Sequence, residues 1–123
     1  MNLTRDSHMQ HLVFVYGTLR RGESNAHLLE TSEMLGSFYT PADYALYDLG
    51  PYPGLAQGQQ SIVGEVYRVD EPTLAKLDLL EDIPIEYRRE TIETPFGRAW
   101  IYLYQDHSRL TAVIDSGDWC QRV

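Results

Sequence analysis

Apolar residues crowd the stretch Leu12-Val13-Phe14-Val15-Tyr16 and stop at Gly17, the pattern of a buried strand that breaks into a turn. Further runs at Met34 to Thr40, Tyr44 to Leu49 and Ile62 to Val69 carry β-type composition. In the last, Val63, Glu65, Tyr67 and Val69 alternate against Ile62, Gly64, Val66 and Arg68. Two more strands are predicted at Tyr87 to Glu93 and Arg98 to Gln105, joined by the hairpin-like turn Thr94-Pro95-Phe96-Gly97. On the second of these, Trp100, Tyr102 and Tyr104 share one face while Ile101 and Leu103 take the other.

Helical signals are fewer. A short helix is predicted around Asn25 to Glu30 with Ser24 as N-cap, and a longer one from Glu71 to about Asp82, capped by Asp70 and carrying Pro72 in its first turn. At 100° per residue, with Leu74 at zero, Leu77 lies at about 300°, Leu80 at about 240° and Glu81 at about 340°. Glu81 therefore shares the leucine face, whereas Lys76 and Leu79 point away. That acid is either aimed into a cavity or stands as a solvated residue at a frayed helix end. Six short strands and one main helix make an α+β domain with enough β-structure to curl into a barrel.

A chain of 123 residues with 43% hydrophobic content supports one domain with a real core. No repeat, low-complexity tract or linker divides residues 12–123, so they form a single domain. Residues 1–11 are polar and aperiodic and are expected to be a flexible leader. The net charge of -8 repels phosphate backbones and anionic membrane surfaces, which argues against nucleic acid or membrane as a partner. No apolar stretch approaches the ~18 residues of a membrane span, and the first eleven residues lack a signal-peptide core. A cytoplasmic location is expected. Cys120, the single cysteine, forms no internal disulfide and points to a reducing compartment. It has no paired histidine motif to make it a nucleophile. Neither His27 nor His107 stands at metal-ligand spacing, so no metal is expected.

Candidate chemistry concentrates at two places. The turn Tyr16-Gly17-Thr18-Leu19-Arg20 leaves consecutive backbone N–H groups without ladder partners, free to bind an anionic or carbonyl group, and Gly17 permits close approach. Glu81 supplies a carboxyl group where water is scarce. Taken as a bare motif, a strand followed by glycine is also an ordinary turn. Tyr52, between Pro51 and Pro53, is either a stiff pocket rim or part of a connection.

Four ordered segments carry a resemblance: Val15 to Arg20, Gly50-Pro51-Tyr52-Pro53-Gly54, Val63-Gly64-Glu65-Val66-Tyr67, and Leu77 to Arg89 with its Glu81-x-x-Pro84-x-x-Tyr87 run. They cover residues 12–105 and resemble the γ-glutamylcyclotransferase-like (AIG2-like) family, most of all its short bacterial members and the γ-glutamylamine cyclotransferases. The resemblance implies a small closed β-barrel of mixed strands flanked by a few helices, with a cavity at one end for the γ-glutamyl group. It implies release of 5-oxoproline without metal or cofactor. The substrate's α-amine attacks its own γ-carbonyl and expels an amine, with Glu81 moving the protons. Burial would raise the pKa of Glu81 and suit it to that task. Tyr16, Gly17, Thr18, Leu19, Tyr52 and Tyr87 are the implied substrate-binding residues, the amides of Gly17, Thr18 and Leu19 serving the α-carboxylate or the developing oxyanion. By the family pattern the Tyr87 hydroxyl lies near Glu81, with ordinary core packing as the alternative. Arg20 matches the turn but is assigned no chemistry, and Tyr104 is assigned a structural role.

Two classes of function remain open at this level: a cyclotransferase acting on a γ-glutamyl amine or γ-glutamyl amino acid, and a non-catalytic small-molecule-binding or regulatory protein on the same fold. Within the first, Asp78, Asp82 or Glu86 is an alternative acid and base.

Overall fold

Val13 and Val15 leave one face of the first strand and Phe14 leaves the other, so each face enters a different core. The computed structural model describes residues 10–122. Its strands are β1 (Gln10–Val15), β2 (Glu33–Tyr39), β3 (Tyr44–Asp48), β4 (Pro53–Gln57), β5 (Val63–Asp70), β6 (Tyr87–Thr94) and β7 (Gly97–Tyr104), and its α-helix is α1 (Glu71–Leu80). Five strands form a mixed sheet of order β2-β5-β1-β7-β6, and β3 with β4 makes a separate two-stranded ribbon. Only β1 and β7 run parallel, Val13 lying opposite Trp100. Their carboxyl ends consequently open at the same edge of the sheet, where backbone groups leave the ladder and a ligand crevice can form.

The α+β class and the predicted strands agree with this architecture to within two residues at each end. Helix α1 begins where Asp70 accepts a hydrogen bond from the Thr73 N–H at 2.9 Å. One sheet face buries Leu74 and Leu77 of α1 against Val13, Val15, Tyr67 and Tyr102; the other buries Phe14, Ile101 and Leu103 against Leu46 and Leu55 of the ribbon and Trp119 near the end of the chain. The two faces read from Trp100 to Tyr104 are these two cores. No helix among the described residues is long and apolar enough to cross a membrane.

Four expectations need correction. The closed barrel of about six strands does not form: the ribbon covers one sheet face by apolar packing and is tied elsewhere by isolated bridges, Tyr44 to Gln60 and Tyr47 to Val113, so no continuous ladder closes the sheet. Strand β4 arises in a segment weighed as a pocket rim or a proline-rich connection, with no strand predicted there. Pro53 occupies its first position, where the missing N–H costs no ladder bond. The helix expected at Asn25 to Glu30 is a 3-10 turn at Ala26–Leu29, with Asn25 rather than Ser24 at its N-terminal boundary. Gln10 and His11, placed in the leader, are the first residues of β1, opposite Asp70 and Val69. The rest of that expected leader, residues 1–9, lies outside the described residues.

Candidate active site

Beyond the carboxyl ends of β1 and β7 lies a cavity of about 270 Å³. Its wall includes Tyr16, Gly17, Thr18, Leu19, Tyr52, Glu81 and Tyr87, every site residue the sequence singled out. A volume near the lower end of the ~300–1,000 Å³ usual for ligand sites suits a small molecule of about ten to fifteen heavy atoms.

Glu81 reaches this wall because of how α1 ends. The helix stops at Leu80, earlier than predicted, and Glu81 is the C-cap residue with its N–H donating to the Leu77 carbonyl at 2.9 Å. Beyond it Asp82 takes φ 53, the left-handed conformation usually left to glycine or asparagine. The Ile83 N–H then reaches the Asp78 carbonyl and the Asp82 N–H reaches that of Leu79, both at 3.1 Å, the paired bonds of a Schellman motif. Ile83 packs with Leu77 in the same core. This stop turns the chain sharply, so the end of the helix does not release Glu81 into solvent. Its carboxyl group is pushed up from 4.5 to about 8, first by burial, then by the negative charge of Glu86 and of Asp78.

The turn after β1 forms another part of the cavity wall. The amides of Gly17, Thr18 and Leu19 donate to no carbonyl or side chain among the described residues, while the carbonyls of Gly17 and Thr18 accept from the N–H groups of Arg20 and Asn25 at 3.0 and 2.8 Å. The turn is therefore held through its acceptors and presents its donors, the arrangement that binds an anion or oxyanion. Asn25 adds a side-chain bond to the Thr18 hydroxyl at 3.0 Å. Gly17 is required for contact: a Cβ there would lie 2.5 Å from Cγ of Pro53 on the neighbouring wall. Gly17→Ala is expected to displace that wall and to weaken binding of a cavity ligand at least tenfold, measured by calorimetry. Unchanged affinity would mean that Pro53 yields freely.

Arg20 ties the turn to the sheet. Its Nε donates to Glu65 Oε2 at 3.2 Å and its Nη1 to Asp118 Oδ1 at 2.6 Å, and Glu65 Oε1 also accepts from the Arg21 N–H at 2.9 Å and the Tyr67 hydroxyl at 3.2 Å. Two of the motifs read along the sequence are thus one structural unit. Gly64 beside it admits the end of β1, since a Cβ would stand 2.4 Å from the Val15 carbonyl oxygen.

The tyrosines divide by where their hydroxyls go. Tyr16 is buried and donates to the Tyr102 carbonyl at 2.7 Å. Tyr87 lines the cavity, but its hydroxyl donates to the Pro53 carbonyl at 2.7 Å rather than to Glu81, a correction to the expected pairing. Both have pKa values raised, burial being the main cause and the charge of Glu81 a further one. They shape and dry the pocket as neutral donors. Tyr52, part of the rim, donates to Glu86 Oε2 at 2.6 Å. Tyr104 has the structural role read for it: it is buried edge-on to Tyr87 and accepts from Arg109 at 2.7 Å.

Of the alternative acids, Asp78 is committed to the Tyr102 hydroxyl at 2.8 Å and to Arg89 at 3.3 Å, and neither it nor Asp82 lines the cavity. Glu86 does. Sequence reasoning weighed Glu86 only as a substitute for Glu81 and did not place Tyr102 or Asn25 at the site. Tyr102 lies on the face read as packing, and Asn25 lies seven residues from its partner with no periodic signal to link them.

A family model described as "Gamma-glutamyl cyclotransferase, AIG2-like" matches residues 13–121. The chain belongs to that family. The γ-glutamylcyclotransferase domain is 70% identical, over 94% of this chain and 100% of the relative, to a Vibrio cholerae protein described as a candidate gamma-glutamylcyclotransferase. It is 46% identical to the gamma-glutamylcyclotransferase family protein YtfP of Escherichia coli K12, over 89% of this chain and 96% of the relative. The solution structure of Escherichia coli YtfP superposes with a TM-score of 0.75 over 90% of this chain and 97% of that one. The crystal structure of an AIG2-like protein from Mus musculus, 28% identical, superposes with a TM-score of 0.72 over 85% of this chain and 86% of that one. Membership supports a cyclotransferase activity on a small γ-glutamyl molecule.

Proposed function

We propose that the protein converts a γ-glutamyl amine or γ-glutamyl amino acid to 5-oxoproline and the free amine, with Glu81 as general base and then general acid. The observation that carries this reading is that Glu81, whose carboxyl pKa is raised to about 8, and the turn Gly17 to Leu19 with its unpartnered amides line one small cavity. The amides hold the substrate's α-carboxylate or the γ-carbonyl oxygen as it gains negative charge. Folding of the glutamyl chain inside the cavity brings the α-nitrogen against the γ-carbon and makes the attack intramolecular. Glu81 takes one proton from the α-ammonium. The freed nitrogen attacks the γ-carbon and sheds a second proton as the lactam bond forms, and both protons pass to the leaving nitrogen as the old amide bond breaks, so the amine departs as an ammonium ion. The carboxyl group ends as it began.

A base of pKa about 8 sets the pH dependence. Below that value Glu81 is protonated and cannot accept, so kcat/KM is expected to fall about tenfold for each pH unit below 8. The test is release of 5-oxoproline from a panel of γ-glutamyl amines, γ-glutamyl amino acids and glutathione between pH 5 and 9. No release from any of them, or a profile flat through pH 8, would overturn the reading. Micromolar binding of a glutamyl ligand without turnover would support a non-catalytic binding protein instead.

A further inference from the structure

Among the described residues, those lining the cavity include two acids, Glu81 and Glu86, and no lysine, arginine or histidine. A γ-glutamyl group brings one ammonium and one carboxylate, which the Glu81 carboxyl group and the turn amides match. Glu86 is left over. It is not a loose surface acid: its N–H donates to the Asp82 carbonyl at 2.9 Å, its carbonyl accepts from the Gln105 N–H at 2.9 Å, and Tyr52 holds its Oε2 at 2.6 Å. Its Oε1 has no partner among the described residues. The bond to Glu86 is also the first cause of the raised pKa of Tyr52, so the tyrosine stays a donor and the negative charge stays on the carboxylate. Arg109 is exposed, donates to the Tyr104 hydroxyl and lies close enough to Tyr52 to act on its pKa, but it does not line the cavity.

We infer that the Glu86 carboxylate, oriented by Tyr52, is a specificity determinant that selects γ-glutamyl derivatives whose leaving amine carries a second, distal ammonium, as in a mono-γ-glutamylated diamine. This rests on the cyclotransferase reading above and assigns the leaving-group side of that same cavity. The physical ground is that a carboxylate held in a partly dry pocket attracts a cation and rejects an anion more strongly than the same charge in water. An α-amino acid leaving group would bring its own carboxylate towards Glu86. A diamine leaving group would bring the complementary charge.

Three substrates of similar length separate the possibilities: γ-glutamyl-1,4-diaminobutane, γ-glutamyl-n-butylamine and γ-glutamyl-4-aminobutyrate, with cationic, neutral and anionic tails. kcat/KM is expected to fall in that order by about tenfold per step, and the cationic-to-neutral ratio is expected to collapse towards one in Glu86→Gln. Tyr52→Phe should lower the same ratio partway. Equal kcat/KM for the cationic and neutral substrates in the unaltered protein would overturn the inference. So would an equal loss on all three in Glu86→Gln, because that would place Glu86 on the α-ammonium common to them. Dissociation constants for the same compounds, measured by calorimetry on the unaltered protein, decide the matter if nothing is turned over. The cyclotransferase reading then fails, while a cation-over-neutral order in affinity upholds the inference and its absence defeats it.

Discussion

Glu81→Gln is expected to lower 5-oxoproline release by about 10³-fold or more while raising the stability of the protein at pH 8. The loss follows from removing the group that both accepts and returns the proton, at the upper end of the ~10²–10⁴-fold usual for one general acid or base. The gain follows from linkage. In the unfolded chain the Glu81 carboxyl group ionises near 4.5, whereas in the folded protein it holds its proton up to about 8. Between those values the unfolded state binds fewer protons, so stability falls as pH rises. At about 1.36 kcal/mol per pH unit the window sets an upper bound near ~5 kcal/mol, and water in the open cavity screens this to about 1–3 kcal/mol. Glutamine has no charge to desolvate. The variant should therefore melt several degrees higher at pH 8, with the advantage gone below pH 4.5, where both states are neutral in both proteins. Thermal unfolding at pH 4, 6 and 8 measures it. A variant that melts lower at pH 8 would show that the carboxyl group is not strained by burial.

Such a penalty is what a site residue held against its own solvation looks like, and helical phase hinted at it. The leucine face of α1 placed Glu81 correctly with respect to Leu74 and Leu77, both buried. The helix end was misjudged because Asp82 gives no obvious stop signal: the left-handed position of a Schellman motif usually reads as glycine. The two alternatives drawn from the sequence, a fraying helix or a cavity-facing acid, were not exclusive. The helix does end at Leu80, and the same stop delivers Glu81 to the cavity wall.

Individual strands were legible where alternation was clean, as in β5 and β7, and illegible where proline and glycine masked it. Pro53 and Gly54 open β4, and Pro53 also forms the wall against Gly17, so a segment weighed as a rim or a connection is both ladder and pocket. The closed barrel was an expectation from the resemblance, supported by strand number, and number alone does not decide closure; the ribbon of β3 and β4 satisfies its own backbone and covers the sheet by its leucines instead. Glu86 remained undervalued for a different reason. Its partner Tyr52 is 34 residues away, and nothing in local spacing announces a contact of that range.

The third motif, around Glu65, gained its meaning only from the fold, and it carries the largest expected effect on stability. Side chains of Arg20, Glu65 and Asp118 are 12, 9 and 18% exposed, so their charges are largely removed from water. A buried pair of this kind adds little over a well-packed apolar substitute, because desolvation offsets most of the attraction. Removing one member is different. Glu65→Ala deletes three acceptor contacts together and leaves the Arg21 N–H, the Tyr67 hydroxyl and half of the Arg20 guanidinium without partners. The expected cost is about 3–5 kcal/mol in denaturant unfolding. Glu65→Gln keeps an oxygen for the Arg21 N–H and should cost about 1–3 kcal/mol. Arg20→Ala combined with Glu65→Ala should cost less than the two singles added, since the second change no longer strands a charge. Strict additivity would mean that the pair is not coupled. Because the same network anchors the turn that presents the Gly17, Thr18 and Leu19 amides, Glu65→Ala assayed well below its melting temperature should raise KM more than it lowers kcat. The opposite split would place the turn in the chemical step rather than in holding the substrate's carboxylate.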